Sequence, residues 1–468
     1  MAPRRQIPVF LLLSWVASCS LLHTIPDQPA ESEDIVTVDI LIASPEGRVT
    51  GWVNQPTHRG TWDIIWTCLV TTFICTYTLL CLNVPAPKDT VYIVFRQRVM
   101  WMLLAIIGPE IVLTYAAGQW SRARHSVEAF HSSGYTQWTM RMAFFADMGG
   151  YVLEAKDSDS FPLNAKQLHW LVANKHIDFH DIRTDDIWDK SKQDRLTKAI
   201  TALQIGYLVL QCIGRVVQHL AITALELNTL AIVVCSLMTA FAWLHKPSDV
   251  RTPTRIVSRS SMIDITGNKP WRTTPLDFVD ENGPGWAMNV QPFMKMPVIP
   301  KGRPIQRIPN DRFPMNPYGI QEYCVCFATL LFTGLHVLGW NFSFPSPVET
   351  LLWRTSSLML FVVTALFWIF ETMASWKRLG RWTWLYLWVK DRKKLPDFER
   401  ARAEKLGQEE AREMTTLPLP WEFWTIMPIA VLYGFARLYL IVESFLELRN
   451  VDGSAFVNVE WSDFLPHI

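Results

Sequence analysis

Three features of the chain point to an all-α, polytopic membrane helix bundle with about seven transmembrane helices and long polar loops. Half of the 468 residues are hydrophobic and only 19% are charged, whereas soluble domains carry about a quarter charged residues. Seven apolar runs, roughly at 62–83, 98–118, 199–218, 221–244, 323–341, 351–375 and 421–445, approach the ~20 residues needed to cross the hydrocarbon. In lipid only a helix or a closed barrel satisfies its own backbone. Trp residues mark the run ends, as at Trp62, Trp66, Trp101, Trp120, Trp340, Trp353, Trp376, Trp421 and Trp424, which is the aromatic belt of a bilayer interface.

Residues 1–23 hold two arginines, then IPVFLLLSWVASCSLL. That short apolar run and its small residues read as a signal peptide or a signal-anchor-like segment. Residues 24–61 form a polar N-terminal segment, 62–445 the bundle, and 446–468 a tail. Long polar stretches lie at 119–198, 245–322 and 376–420. The middle one is rich in Pro and Gly and predicts an irregular, extended loop. The last predicts a charged surface helix from Pro396 onward.

Charge sets an expected orientation. If the seven runs alternate, the three long stretches share one face and carry most of the Lys and Arg, which places them in the cytosol. The connection 342–350 then faces outward with the sequon Asn341-Phe342-Ser343, a candidate glycosylation site. The same parity puts residues 24–60 in the cytosol, whereas a cleaved signal peptide puts them outside. The two inferences conflict. The signal peptide and the sequon point to the endoplasmic reticulum or another endomembrane.

A net charge of +1 argues against a nucleic-acid partner. The eight cysteines show neither metal-ligand spacing nor a disulfide framework, and read as small membrane-core side chains. Phosphate-loop, nucleophile-elbow and HExxH motifs are absent from the sequence.

Ionisable groups inside apolar runs are costly and therefore informative. Glu110 follows Pro109 near the middle of the second run. A carboxyl taken out of water retains its proton most readily, which makes Glu110 a candidate proton donor. Arg215, flanked by Gln211 and His219, and Glu226, followed by Asn228, lie on consecutive runs, and a tight hairpin would join them as an ion pair. Such a pair locks helices as readily as it serves chemistry. His336 suits an interhelical hydrogen bond, and Glu371 lies near a run end. Asp147 sits among aromatic residues in 134–154, read as a surface helix or a re-entrant segment. Asp185, Asp186 and Asp189 spell DDxxD, a weak magnesium–diphosphate signal with no second metal motif.

Several stretches, GWVNQPTHRGTWDIIWTC, PEIVLTYAAGQWSRAR, FFADMGGYVL, QCIGRVVQHLAITALELNTL and WNFSFPSPVETLLWRTSS among them, resemble a family of filamentous-fungal multipass membrane proteins. That family is similar in turn to transmembrane terpene cyclases of meroterpenoid pathways, of the ascochlorin and ascofuranone type. The resemblance implies cyclisation of a prenylated, epoxidised farnesyl-phenol substrate. Such chemistry needs a buried acid, for which Glu110, Asp147 and Glu226 are candidates with Arg215 nearby, and aromatic faces for carbocations. It needs no metal or other cofactor. The expected partners are a hydrophobic small molecule and membrane lipid. The alternative is a non-enzymatic transporter, receptor or scaffold.

Overall fold

A computed structural model describes residues 47–54, 58–179, 192–267, 269, 271, 273–280, 303–310, 320–378, 381–401 and 420–461. Residues 1–23 and Asp185, Asp186 and Asp189 lie outside these.

The chain is mostly helical, with five short strands among the described residues. In order these are β1 (Arg48–Thr50), α1 (Thr61–Phe73, continued by a π turn Ile74–Thr78), α2 (Val91–Ile107), α3 (Pro109–Ser132), α4 (Met140–Asp147), β2 (Tyr151–Ala155), β3 (Ser158–Leu163), α5 (Ala165–Ala173), α6 (Lys192–Val217), α7 (Ala224–Ala242), β4 (Thr254–Val257), α8 (Met262–Thr266), α9 (Ile320–Val337), α10 (Pro347–Arg378), α11 (Arg381–Lys390), α12 (Pro420–Leu446) and β5 (Asn450–Asp452). Five helices, within α6, α7, α9, α10 and α12, are long and apolar enough to cross a membrane, as a membrane protein requires.

The first two apolar runs depart from the expected straight spans. α1 reaches only Phe73 before a π turn closes it at Thr78. The run 98–118 is not one helix: α2 stops at Gly108 (φ −140°, ψ 72°), and α3 leaves at 112° to it. Pro109 explains the break. It has no N–H to continue the helix, and it pushes the preceding residue out of the α region. The same proline is well suited to the first position of the new helix.

Both ends of the α2–α3 unit return to one end of the bundle. Lys246, just past α7, donates to Asn83 before α2 (3.4 Å) and to Gln119 within α3 (2.9 Å). Arg98 of α2 pairs with Asp249 at 2.6 Å, and Asp89 with Arg307 at 3.3 Å. The unit therefore dips into the bundle and comes back.

At that end sits a small α/β layer. β2 pairs antiparallel with β3 and parallel with β4, and α4 and α5 pack beneath, around Phe130, Trp138, Phe145, Tyr151 and Leu168. Gly149 takes φ +83°, and a Cβ on Gly150 would stand 2.5 Å from the Phe145 carbonyl and ring. The stretch 134–154 is thus not a free surface helix but is packed into this layer. The described part of 245–322 likewise supplies β4 and α8 to this layer rather than an extended loop.

The opposite end is sealed by the first and last described segments. β1 pairs antiparallel with β5, Val49 opposite Val451. Arg48 donates to the carbonyls of Ser343 and Phe344 in the α9–α10 turn, each at 3.0 Å. Val49, Val53, Ile64, Leu225, Val451 and Phe456 form the small core there.

Candidate functional site

The bend at Gly108-Pro109 places a helix C-terminus and a helix N-terminus inside the bundle. Gly108 N closes the Leu104 carbonyl at 2.8 Å, and the last two carbonyls of α2, Ile106 and Ile107, need donors from outside the helix. Arg437 of α12, fully buried, supplies them: its Nε donates to Ile107 O and its Nη2 to Ile106 O, both at 3.2 Å. A cation belongs at this negative end of the helix dipole. Its Nη1 donates to Asn228 Oδ1 of α7 (2.7 Å) and to His336 Nε2 of α9 (2.6 Å). A guanidinium only donates, so Nε2 accepts, and the His336 proton sits on Nδ1, which donates to Phe332 O at 3.1 Å. The Phe332 ring faces the guanidinium at 5.0 Å.

Glu110 begins α3, at the positive end of that helix's dipole. It is buried, with Arg437 and the Tyr433 phenol of α12 as its electrostatic neighbours. The phenol lies beside the carboxyl, and the two groups interact directly. Neither Glu110 Oε2 nor Tyr433 Oη makes a close hydrogen bond to any other described group. Trp101 meets Tyr115 edge-on at 5.6 Å across the bend. The site thus joins five helices around one acid, one phenol and one cation, with aromatic rings nearby.

The other candidates are held by structural partners. Glu226 and Arg215 lie near each other, as the hairpin predicts, but their direct partners differ from the expected pair. Glu226 takes Arg59 from the segment before α1, at 2.5 Å. Its other oxygen accepts from Thr223 N and Oγ1 at 3.0 Å, while Thr223 Oγ1 accepts from Glu226 N: a capping box that starts α7. Arg215 spends its donors on the carbonyls of Ala221, Val457 and Ser454. The sequence could not pair Glu226 correctly, because Arg59 lies 167 residues away. Asp147 is not in an aromatic cavity: Arg122 bridges it (3.3 Å) to Asp280, and its Oδ1 accepts from Ala165 N. Asn341 is exposed at the end of α9. No group of three His, Cys, Asp or Glu arranged for a metal occurs among the described residues.

Near the α/β layer Lys246 is buried against Asn83, Gln119 and the Trp243 ring. Desolvation lowers its ammonium to about 8, opposed by Cys81 and Asp147. Exposed Asp157 is held below the usual carboxylate range by backbone N–H donors from Met262 and Ile263.

A family model matches residues 35–266 and 321–468, which is most of the chain. The chain belongs to DUF8562, a family of unknown function. No curated protein and no solved structure matches it. The two matched segments of this DUF8562 member contain every helix of the bend site, and the gap between them falls in the Pro/Gly-rich stretch.

Sequence reasoning missed Arg437 and Tyr433. The rule that singled out Glu110 and Arg215 also applies to Arg437 and Glu443 in YGFARLYLIVESFLE.

Proposed function

We propose that this DUF8562 member is a membrane-embedded terpenoid cyclase of fungal secondary metabolism, acting on a prenylated, epoxide-bearing substrate with Glu110 as the acid. The observation that carries this reading is the adjacent buried pair Glu110 and Tyr433, which face each other beside Arg437 and have no close hydrogen bond to any other described group. Buried polar groups almost always make close hydrogen bonds, so an acid and a phenol side by side with hydrogen-bonding capacity to spare suit a third oxygen, such as an epoxide. The Glu110 proton passes to that oxygen and the epoxide C–O bond breaks. An alkene electron pair forms the new C–C bond, and loss of a proton from carbon restores neutrality. The product is an isomer of the substrate, and no metal is required. Of the three acids considered, Asp147 and Glu226 are tied into ion pairs.

The bundle suits six crossings, by α1 with its π turn, α6, α7, α9, α10 and α12, plus a seventh membrane segment, α2–α3, that dips in and returns. The segment before α1, the α9–α10 turn with Asn341, and the residues after α12 then share one face. The Lys/Arg-rich stretches share the other, which the positive-inside rule places in the cytosol. A cleaved signal peptide delivers residues 24–60 to the lumen on this count. The two orientation arguments then agree, with the endoplasmic reticulum or a related endomembrane as the site and Asn341 facing the compartment where glycans are added.

A transporter is the second reading. It is favoured by the helix break inside the bundle, since discontinuous helices build many transporter sites. The test feeds epoxidised prenyl-phenols to microsomes containing the wild-type chain and follows products by mass spectrometry. A new isomer of unchanged mass supports the cyclase. Absence of conversion together with uptake into sealed vesicles would favour transport.

A further inference from the structure

The stretch directly after the last turns of α10 is unlike any other in the chain. Residues 377–394 read KRLGRWTWLYLWVKDRKK and contain seven Lys or Arg against one acid, Asp391. The same stretch holds Trp382, Trp384, Tyr386 and Trp388. At ten residues α11 is far too short to cross the hydrocarbon. Its large side chains nevertheless stand in the open: Trp382, Leu385, Tyr386, Trp388 and Val389 are all exposed. The cations beyond them are exposed as well, at Lys390, Arg392, Lys393 and Lys394.

The two kinds of side chain are organised together. Lys390 lies over the Tyr386 ring at 5.2 Å and Arg392 over Trp388 at 4.9 Å. Trp384 and Trp388 stack one turn apart at 6.4 Å, and Trp384 Nε1 donates to Glu399 of the following helical turn. Asp391 neutralises one cation, Lys394, at 3.0 Å. An exposed apolar face of this kind in water would be an aggregation hazard. Trp and Tyr rings, amphipathic by nature, belong at the headgroup level of a bilayer. Lysines and arginines immediately beside a spanning helix meet the charge of anionic lipids. The long basic stretches of the chain emerge at this same end of the bundle.

We infer that α11 and the cations that follow it form a lipid-docking surface, which lies on the membrane beside α10 and selects anionic phospholipid headgroups. The occupant is the bilayer itself. Charge complementarity and the exposed indoles favour it over a protein partner. The proposal is independent of the enzymatic reading, because it uses no residue of the bend site.

The test reconstitutes the full chain into bilayers of phosphatidylcholine containing spin-labelled phosphatidylserine or spin-labelled phosphatidylcholine. Electron paramagnetic resonance then gives the relative association of each lipid with the protein. The wild type is expected to prefer phosphatidylserine at low salt, with the preference falling as salt rises. Each neutralised cation lowers it by up to about fivefold. The variant K390Q/R392Q/K393Q/K394Q loses most of the preference, and W382A/W388A weakens retention of both lipids. The altered side chains are exposed, so melting in detergent stays at the wild-type value and serves as the folding control. A variant with four exposed cations removed elsewhere (K88Q/R96Q/K156Q/K175Q) retains the preference. Equal association of the two lipids with the wild type, or a preference unchanged in the quadruple Gln variant of 390–394, overturns the proposal.

Discussion

Arg437 organises the bend through five contacts. It closes the open end of α2, fixes the His336 tautomer, and lies beside Glu110. Removing one partner of a buried ionic group costs roughly 3–5 kcal/mol. Arg437→Met is therefore expected to lower the melting temperature in detergent sharply. Arg437→Lys recovers only part of the loss, since an ammonium cannot reproduce the planar fork. Glu110→Gln should retain the fold but lose cyclisation by about 10²-fold or more, as expected for a missing general acid; unchanged turnover would exclude Glu110 as the acid. Glu226→Gln leaves Arg59 uncompensated and is expected to appear as instability rather than as a selective loss of chemistry. Lys246 adds a pH dependence. Its folded value, about 8, lies below the ordinary lysine range. Burying its charge therefore costs stability at neutral pH, and that cost is relieved as pH rises through about 8 toward 10.5. The stability difference between wild type and Lys246→Gln should shift in favour of wild type over that window by roughly 3 kcal/mol, measured by parallel melts. At this scale the sequence was informative wherever cost alone identifies a residue, as at Glu110 and His336. It was silent wherever identity depends on a distant partner, as with Arg59 and Glu226.

Hydropathy measures how long an apolar run is, not where it points. That is why 98–118 read as a span although Gly108-Pro109 stood in plain view. The helix breaks there for local reasons, but that both ends return to one face depends on Lys246, Asp249 and Arg307 from far along the chain. Cysteines placed at Lys88 and Ser133, before and after the dip, should label from the same side of sealed microsomes; labelling from opposite sides would make α2–α3 a true crossing. The short strands were illegible for a related reason. β2, β3 and β4 are four to six residues long, and the pairing of β2 with β4 joins segments about a hundred residues apart. The tight packing of Gly150 under Phe145 gives a sharp local test: Gly150→Ala forces the ring and carbonyl apart and should destabilise the α/β layer by about 1–3 kcal/mol, visible as earlier proteolysis between 134 and 178.

For the whole molecule the sequence conveyed the class, a helical membrane bundle with basic loops, and left the orientation of its first third unresolved. The difficulty lay in counting. One dip mistaken for a crossing reverses the side of everything before it. On the proposed count, epitope tags inserted within 24–46 and at the C-terminal end should be shielded together in intact microsomes and become accessible together on permeabilisation. The strand pair at the sealed end bears on how such a chain is made. Arg48 finds its side-chain partner Asn450 only 402 residues later. At roughly 5–20 residues per second of synthesis, β1 waits on the order of 20–80 s for its partner to emerge. Until then an unpaired strand edge and the small apolar core of that end remain open, within reach of folding helpers and of one another on neighbouring chains. The last dozen residues of the described chain thus act as the clasp that completes assembly, and translation must reach them before the first strand is secured.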